Sequence, residues 1–368
     1  MIPSKNKIKI LHVVGGMNRG GVETFLINIL KTSDTKKYEI IFLCYGNAKF
    51  DYDDEIISLG GYVLRLPDVK EIGIIRHISN IRNIIKSNNI NIVHAHTYYN
   101  SVFSLVAARL SKVTIRIVHA HSTYSEINPN PLKKIYFLIA KIAINYLATE
   151  KIACGNTAGK ALYNKSKFII VKNGILTENF MFNKEIRQQL RSQLRINNST
   201  TVIGHVGRFE TVKNHVFLID VFKDYLKLNG NSTLLLIGNG ELEKNIELKV
   251  DELGLSSKVI FLGSVANAND FYNIMDVFIF PSYFEGLGMA LIEAQVNGLK
   301  CIASTGVPNE ARITNSVKFL SLDLGVSKWS KIIKNMNMKR QDISNHDHIH
   351  DYNIRNSKIK LEAIYDEK

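Results

Sequence analysis

Two glutamates separated by seven residues form the clearest chemical pattern in this sequence. Glu285 and Glu293 lie in the stretch PSYFEGLGMALIEA, directly after the apolar run DVFIFP, which predicts a strand. Gly286 and Gly288 open the helix that should follow, and the free N–H groups of residues 287–290 would direct a partial positive charge at a diphosphate. We expect Glu293 to accept hydrogen bonds from two ribose hydroxyls and Glu285 to bind a sugar hydroxyl. The alternative, two glutamates on a helix surface, does not explain the strand–proline–glycine context.

An arginine and a lysine lie upstream, in the segment GRFETVKN. Arg208 and Lys213, with four residues between them, follow the apolar run 201–207, which also predicts a strand. Two cations at the carboxyl end of a parallel strand can bind a pyrophosphate and stabilise it as it leaves. An ordinary exposed loop is an equally valid interpretation of this segment taken alone.

A glycine-rich loop, GGMNRGG at 15–21, lies between a predicted strand at 8–14 and a predicted helix at Val22–Leu30. Its glycines, among them Gly16, Gly20 and Gly21, let a ligand approach the backbone, and its N–H groups face a helix N-terminus where phosphate or sugar oxygens bind. The loop is not G-x-G-x-x-G, so we do not expect a dinucleotide site. A tight turn without a ligand is the alternative.

Four histidines recur at the ends of two predicted strands, His94 and His96 in IVHAHTYYNS and His119 and His121 in IVHAHSTYS. Alternation along a strand puts each pair on one face. The spacing is not that of H-x3-H on a helix, so we expect no metal site here. One histidine should lie where open α/β sheets bind ligands, and the other three should be structural residues with satisfied hydrogen bonds.

The segment 131–148, PLKKIYFLIAKIAINYLA, is apolar over most of a helix surface. Lys133, Lys134, Lys141 and Asn145 are its main polar residues. Two interpretations stay open: a helix buried in a domain, which is the commoner case, or a helix that lies in a membrane interface.

Short β-rich runs alternate with longer helical patterns in both halves, which is typical of parallel βαβ units. Each half opens as strand, polar loop and helix, as a Rossmann-like domain does. We therefore predict an α/β protein of two Rossmann-like domains, 1–172 and 173–344, followed by a helical segment, 345–368, that packs back on the first domain. Besides 8–14 and 201–207, the predicted strands are 39–44, 90–95, 114–119, 151–154, 168–171, 233–237, 258–262, 276–280 and 299–303.

The charge of +14 is uneven along the 368 residues. Residues 1–172 hold 24 Lys and Arg against 11 Asp and Glu, a balance of +13, and the remainder holds 23 against 22, a balance of +1. The first half should therefore face something anionic, unless it is only a solvated lysine-rich surface. The three cysteines are far apart, and no apolar run reaches the length of a signal peptide core or a membrane span. We expect a cytoplasmic protein, peripheral at the inner face of the cell membrane.

Taken together, these segments resemble glycosyltransferase family 4, the glycosyltransferase group 1 family, over nearly the whole chain. The matching segments in order are the glycine loop, a histidine strand, VKNGI, GRFETVKN, LIGNGELE, VIFLGSV and the E-x7-E pair. NRGGVE and HAHSTYS make the subgroup that builds exopolysaccharides and capsules on a lipid carrier the most similar. The resemblance implies the GT-B fold, with two Rossmann-like domains that face each other across a cleft.

The resemblance also implies roles for individual residues. Arg208 and Lys213 would neutralise the donor diphosphate, Glu285 would bind the transferred sugar and Glu293 the ribose. The backbone at Gly288, Met289 and Ala290 would hold phosphates and sugar hydroxyls, and Leu262 would line the base. His121 matches the active-site histidine of the family best, although His119 is two residues away.

The sequence shows neither the carboxylate pair of a hydrolase nor an acidic cluster that could bind Mg²⁺. Arg208, Lys213 and a helix N-terminus must therefore stabilise the negative charge of the leaving group. We expect a metal-independent hexosyltransferase, and the resemblance adds retention of configuration, a donor such as a UDP-sugar and an undecaprenyl-pyrophosphate-linked acceptor. An anionic membrane surface is the other expected partner. The alternatives are a sugar-nucleotide epimerase or hydrolase of the same fold and a basic, non-catalytic binding module; nucleic acid is not expected, because interleaved aromatic residues and known motifs are lacking.

Overall fold

A computed structural model of the chain describes residues 7–122, 130–343 and 347–367. The chain divides into two compact units, one of Met1–Ile175 with Tyr352–Lys368 and one of Leu176–Asp351. The end of the HAHSTYS segment lies outside the described residues.

The strands of the described residues come in two runs. The first unit contains β1 (Ile8–Val14), β2 (Tyr38–Tyr45), β3 (Tyr62–Leu66), β4 (Ile92–Ala95), β5 (Ile115–Ala120), β6 (Glu150–Ala153) and β7 (Ile169–Ile170). The second contains β8 (Thr201–Val206), β9 (Ser232–Ile237), β10 (Val259–Phe261), β11 (Val277–Phe280), β12 (Lys300–Ser304) and β13 (Val317–Leu320).

The helices alternate with these strands along the chain. They are α1 (Gly21–Thr32), α2 (Asp53–Ser58), α3 (Val69–Ile72), α4 (Ile74–Ser87), α5 (Ser101–Leu110), α6 (Pro131–Leu147), α7 (Asn156–Tyr163), α8 (Lys184–Gln193), α9 (His215–Leu228), α10 (Glu243–Glu252), α11 (Ala268–Phe271), α12 (Met289–Val296), α13 (Gly325–Lys334), α14 (Asp347–Asp351) and α15 (Ile354–Asp366). Short 3-10 turns occupy Tyr98–Asn100, Thr177–Phe180, Thr211–Lys213, Tyr272–Ile274, Asn309–Ala311 and Leu322–Leu324.

Each unit is built on one sheet whose described pairings are all parallel. The first sheet has the order β3-β2-β1-β4-β5-β6-β7 and the second the order β10-β9-β8-β11-β12-β13. The winding direction reverses between β1 and β4 and again between β8 and β11. In open α/β sheets, ligands bind outside the carboxyl ends of the strands at such a reversal. The topology therefore marks the loops after β1, β4, β8 and β11 as the places to look for a site.

The strands at the centre of each sheet are buried on both faces, which explains why their sequences are nearly continuous apolar runs. The structure confirms the strands predicted from these runs, with ends that differ by one or two residues. The sequence did not indicate β3 and β13, each of which lies at one of the two edges of its sheet. Most of their side chains are only partly buried or exposed, so neither strand carries a long apolar signal.

The predicted unit boundaries need correction at both ends of the second domain. The first unit runs to Ile175 rather than 172, and the chain returns to it at Tyr352 rather than 345. Two backbone hydrogen bonds join the segments, from the N–H of Ile175 to the carbonyl of Tyr352 and from the N–H of Ile354 to the carbonyl of Ile175, both at 2.8 Å. Gly174 permits this approach, because a Cβ there would lie 2.7 Å from the Cα of Ile354.

The terminal segment is two helices rather than one, and α15 belongs to the first unit. Leu361, Ile364 and Tyr365 are buried along one side of α15. The Tyr365 hydroxyl is 2.8 Å from His94 Nδ1, and the Tyr38 hydroxyl donates to Asp366 at 2.8 Å. The returning helix thus supplies a polar partner to a histidine at the end of β4.

Candidate active site

In the second unit, the loops that follow β8 and β11 are held together by hydrogen bonds. The N–H of Tyr283 donates to the carbonyl of Val212 at 2.8 Å, and Asn214 Nδ2 donates to the carbonyl of Pro281 at 3.3 Å. Asn214 adopts the left-handed conformation that turns the chain into α9. The adjacency of β8 and β11 in the sheet thus joins two sequence motifs that are about 70 residues apart.

Lys213 and Glu285 form an ion pair at this junction. Lys213 Nζ is 2.6 Å from Glu285 Oε1, and the two side chains are 17% and 11% exposed. The Ser282 hydroxyl donates to the same carboxylate oxygen at 2.7 Å, and the ammonium lies 5.0 Å from the centre of the Phe280 ring. The residue predicted to bind the diphosphate therefore forms an ion pair with the residue predicted to bind the sugar.

Arg208 stands apart from this pair on the solvent side of the same loop. Its side chain is 61% exposed and its guanidinium pairs with Glu210 at 2.9 Å. An exposed ion pair of this kind contributes little stability, so exchanging Glu210 for another anion costs little.

The helix α12 begins directly after Gly288. Gly288 has φ +85°, in the region that favours glycine, and a Cβ there would come within 3.1 Å of the Phe280 ring. Met289 and Ala290 form the first turn of α12 and are partly buried. The predicted phosphate-binding N–H groups therefore lie at a helix N-terminus that follows the Glu285 loop.

Glu293 lies in the second turn of α12 and is oriented by a residue that the motifs did not indicate. The Tyr272 hydroxyl donates to Glu293 Oε2 at 2.7 Å, and Tyr272 is fully buried. Burial raises the pKa of the Glu293 carboxyl, and the hydrogen bond from Tyr272 lowers it. Ser282 was also missed, although it lies inside the PSYFEG motif and was open to prediction from it; no local signal marks Tyr272.

Leu262 directly follows β10 and is partly buried against the core of the second unit. Its N–H donates to the carbonyl of Leu236 at 3.0 Å, which extends the ladder beyond the strand. Leu262 therefore lies at the carboxyl edge of the second sheet, two strands away from β8.

The LIGNGELE motif has a packing role that the sequence did not indicate. Gly238 has φ +136°, and a Cβ on it would come 2.2 Å from the carbonyl oxygen of Gly207. The N–H of Phe209 donates to the carbonyl of Asn239 at 2.8 Å. Gly238 therefore lets the loop after β9 pack against the backbone that carries Arg208.

In the first unit, hydrogen bonds join the glycine loop at 15–21 to neighbouring segments of the same unit. The carbonyl of Gly15 accepts from the N–H of Tyr45 at 3.1 Å, and the N–H of Arg19 donates to Asp51 at 3.0 Å. A Cβ on Gly16 would come 2.7 Å from the Phe50 ring, so this glycine serves packing. Gly20 is the N-cap of α1 and makes no side-chain cap, and Gly21 is the first residue of that helix.

The histidines of β4 and β5 meet a fifth one, His12 of β1, which the sequence analysis did not single out. His12 Nδ1 is 2.9 Å from His96 Nε2, and His96 Nδ1 is 2.8 Å from His121 Nε2. His121 Nδ1 donates to Asn173 Oδ1 at 2.8 Å, so both ring nitrogens of His121 are engaged. In the parallel register His12 is opposite His94, a placement that follows from strand order alone.

The prediction that three of the four histidines have satisfied hydrogen bonds is wrong, because both His119 and His94 have ring nitrogens without a hydrogen-bond partner. His119 is 1% exposed, and neither of its ring nitrogens makes a hydrogen bond of standard geometry, although the backbone of Val171 lies close enough to raise its pKa. His94 has a partner for Nδ1 but none for Nε2. Burial lowers the pKa of His12 to about 3 and that of His121 to about 4, so both rings are neutral at neutral pH.

A cavity of about 440 Å³ opens beside this cluster in the first unit. Its lining includes Gly15, Gly46, Asp68, His96 and Thr97. It lies at the carboxyl ends of β1 and β4, where the winding of the first sheet reverses.

Comparison with known proteins places this architecture in a family. The Glycosyltransferase Family 4 model matches residues 19–178, and the Glycosyl transferases group 1 model matches residues 186–320. The glycosyltransferase-family protein EpsF of Bacillus subtilis is 35% identical over 332 residues, which cover 88% of this chain and 86% of EpsF.

The names of two further relatives state the process or the reaction in which those proteins take part. The capsular polysaccharide biosynthesis glycosyltransferase CapH of Staphylococcus aureus is 27% identical and covers 96% of this chain and 98% of its own. The UDP-Gal:alpha-D-GlcNAc-diphosphoundecaprenol alpha-1,3-galactosyltransferase of Escherichia coli is 24% identical and covers 88% and 86%.

The crystal structure of Alr3699/HepE from Anabaena in complex with UDP and glucose superimposes with a TM-score of 0.81 at 17% identity, over 98% of this chain and 100% of HepE. This likeness shows the GT-B fold. With both family models matched and EpsF similar over most of its length, the chain belongs to glycosyltransferase family 4.

Proposed function

We propose that this glycosyltransferase moves a hexosyl residue from a UDP-sugar to a lipid-diphosphate-linked saccharide, with retention of configuration, during capsular or exopolysaccharide synthesis. The observation that carries the proposal is the placement of Lys213, Glu285 and Glu293 around the carboxyl ends of β8 and β11. The names of CapH and the Escherichia coli galactosyltransferase support the pathway and the acceptor class, and the UDP bound to HepE supports the donor.

The donor diphosphate displaces an internal interaction. When its charge reaches Lys213, the ammonium exchanges Glu285 for phosphate oxygens, and Glu285 becomes free to accept a hydrogen bond from a sugar hydroxyl. Ser282 keeps the carboxylate oriented during this exchange. Arg208, which gives up only a surface pair, joins Lys213 on the diphosphate as negative charge develops on the leaving group.

The other contacts hold the donor in place. Glu293, oriented by Tyr272, accepts hydrogen bonds from the ribose hydroxyls, and the N–H groups at Met289 and Ala290 bind the phosphates. From the family resemblance, Leu262 is assigned to the base and His121 to the sugar. The acceptor hydroxyl attacks the face that the diphosphate leaves, and a leaving phosphate oxygen takes its proton. No step in this scheme requires a metal ion.

A transfer assay tests the proposal. The purified chain is incubated with UDP-, GDP- and ADP-sugars and a saccharide linked to a lipid diphosphate, and the anomeric configuration of the product is read by NMR. We expect product with a UDP-hexose and a strong loss of rate in Glu293→Gln. Glu247→Gln, an exposed change on α10, is the control. UDP formation without an acceptor at the full rate would instead favour the hydrolase or epimerase alternative.

The helix α6 supports action at a membrane surface. Leu132, Ile135, Ile139, Ile142 and Tyr146 follow one another at spacings of three and four residues, and each is between 55% and 82% exposed. Such an apolar stripe on a surface helix marks an interaction site. Among the described residues, no helix has the length and apolarity to cross a bilayer.

The positive charge of α6 indicates which kind of surface binds its apolar stripe. Lys133, Lys134 and Lys141 lie on α6, and its residues include no Asp or Glu. Each lysine near an anionic membrane contributes about 1 kcal/mol, so three give about 3 kcal/mol, or roughly a hundredfold in membrane partitioning. The stripe therefore lies in the headgroup region of an anionic bilayer, where the lipid-linked acceptor is also found.

Liposome co-sedimentation tests this placement. We expect binding to anionic vesicles that falls at high salt, and its loss in Ile139→Glu/Ile142→Glu. Leu248→Glu, which changes an exposed leucine of α10, should bind as the parent does. Equal and negligible binding to anionic and neutral vesicles would contradict the placement. A dimer in solution that the double variant abolishes would show that a second copy covers the stripe instead.

A further inference from the structure

The cluster of five histidines in the first unit, of which His96 is partly exposed, lies where a metal ion could be bound. His96, His119 and His121 each offer one ring nitrogen, and these nitrogens all lie within 4.8 Å of one another. The rings of His119 and His121 stack at 4.0 Å, and those of His96 and His121 at 5.1 Å. A helical H-x3-H spacing is not needed here, because β4 and β5 are neighbours and bring both segments to one edge.

Two of the three rings are already oriented through their other nitrogen. His121 Nδ1 donates to Asn173 Oδ1, and His96 Nε2 accepts from His12 Nδ1. The remaining nitrogens, His96 Nδ1 and His121 Nε2, face each other at 2.8 Å. Metal-binding histidines are commonly fixed in this way by a partner on the second nitrogen.

His119 supplies the strongest reason to expect a ligand. A buried imidazole without a hydrogen bond of standard geometry is destabilising, because its nitrogens lose their contact with water and gain no partner in return. Coordination by one of its nitrogens would remove half of that penalty. Nothing else among the described residues around His119 offers a polar partner of standard geometry.

The cluster has the electrostatic character that suits a transition metal. The three ligand nitrogens that lie within 4.8 Å of one another all belong to imidazole rings, which bind a metal ion in their neutral form. Among the described residues, no carboxylate belongs to this group of ligand atoms. Three imidazoles without an oxygen anion suit Zn²⁺, Co²⁺, Ni²⁺ or Cu²⁺ and not Mg²⁺ or Ca²⁺.

We propose that His96, His119 and His121 form a binding site for a zinc-like divalent transition-metal ion, with a fourth position for water on the side of the 440 Å³ cavity. His96 lines that cavity and gives the ion its entry path. The site shares His121 with the residues assigned to the donor sugar, and no step of the proposed transfer uses the ion.

Binding requires a small, balanced rearrangement. Zn–N distances are about 2.0–2.1 Å, so His96 and His121 must move apart by about half an ångström from their present contact. His96 must also move its proton from Nδ1 to Nε2, and His12 in turn moves its own from Nδ1 to Nε2. Both rings stay neutral, and no proton leaves the cluster.

Cobalt titration of the untagged full chain tests the site without donor or acceptor, so its outcome is independent of the proposed function. We expect one Co²⁺ per chain, with the visible absorption of tetrahedral cobalt, and displacement by Zn²⁺. His96→Gln and His119→Leu should abolish the absorption. Asn173→Ala should weaken binding about 10–100-fold, because it removes only the orienting contact.

His348→Gln is the matched control, since His348 is exposed on α14 and lies outside the cluster. It should bind cobalt as the parent does. Should His119→Leu fail to fold, the partly exposed His96 provides the decisive variant. Absence of stoichiometric binding in the parent, or unchanged binding in a folded His96→Gln, would overturn the proposal.

Discussion

Replacing Lys213 by methionine separates the structural and chemical roles of the Lys213–Glu285 pair. In this variant the Glu285 carboxylate, which is only 11% exposed, keeps the hydrogen bond from the Ser282 hydroxyl but loses its cation. Surface pairs are worth about 0–1 kcal/mol, and breaking a buried pair costs about 3–5 kcal/mol. For this mostly buried pair we expect a loss of about 2 kcal/mol, which lowers the Tm of a unit of this size by about 4–8 °C.

The double variant Lys213→Met/Glu285→Gln should recover most of that loss. The amide still accepts a hydrogen bond from Ser282 and no charge remains without a partner. Transfer should not recover, because position 213 no longer carries a cation that can stabilise the leaving diphosphate. Removal of one such group costs about 100–1,000-fold in rate, and we expect a fall of this size in both variants.

The assay is thermal unfolding by calorimetry together with initial rates of transfer. Lys249→Met/Asp220→Asn provides the control, since this pair at 2.7 Å joins α9 and α10 away from the site. It should lower stability slightly and leave the rate unchanged. Recovery of transfer in the Lys213→Met/Glu285→Gln variant would refute the reasoning, because it would make the pair structural only.

Three further outcomes are expected. Transfer should survive EDTA, and complete loss restored by Mg²⁺ or Mn²⁺ would contradict the cation-based site. Tyr272→Phe should raise the KM for the donor about tenfold with little change in kcat, whereas Tyr225→Phe should not; an unchanged KM would remove Tyr272 from the ribose site. Burial lowers the pKa of His205 to about 4 and that of His215 to about 2, both below the unfolded value, so the second unit should lose stability as the pH falls below about 6.5. Each histidine accounts for about 2 kcal/mol at pH 5, and urea unfolding at pH 7 and pH 5 should show a smaller difference in His215→Leu.

Much of the fold was encoded locally. The inner strands of both sheets are buried on both faces, so they must be continuous apolar runs, and such runs are visible in the sequence. The same is true of Gly288, whose positive φ at the start of α12 requires a glycine. The E-x7-E pair was found because both glutamates lie on one loop–helix segment, where sequence distance and spatial distance are linked.

What the sequence did not determine depends on neighbours that are remote in the chain. The outer strands β3 and β13 bury little, so pairing with an inner strand is what makes them strands. Tyr272 contacts Glu293 only because the 3-10 turn before β11 packs beside α12. No local pattern contains that information.

The histidine cluster shows the same division most clearly. Alternation in β4 and β5 predicted that each pair of histidines shares a face, and the tertiary structure decided that the two faces coincide. Strand order then placed His12 opposite His94, and the return of α15 placed Tyr365 against the same ring. A side chain's own segment sets its direction, but only the order of strands in the sheet sets which other side chains it meets.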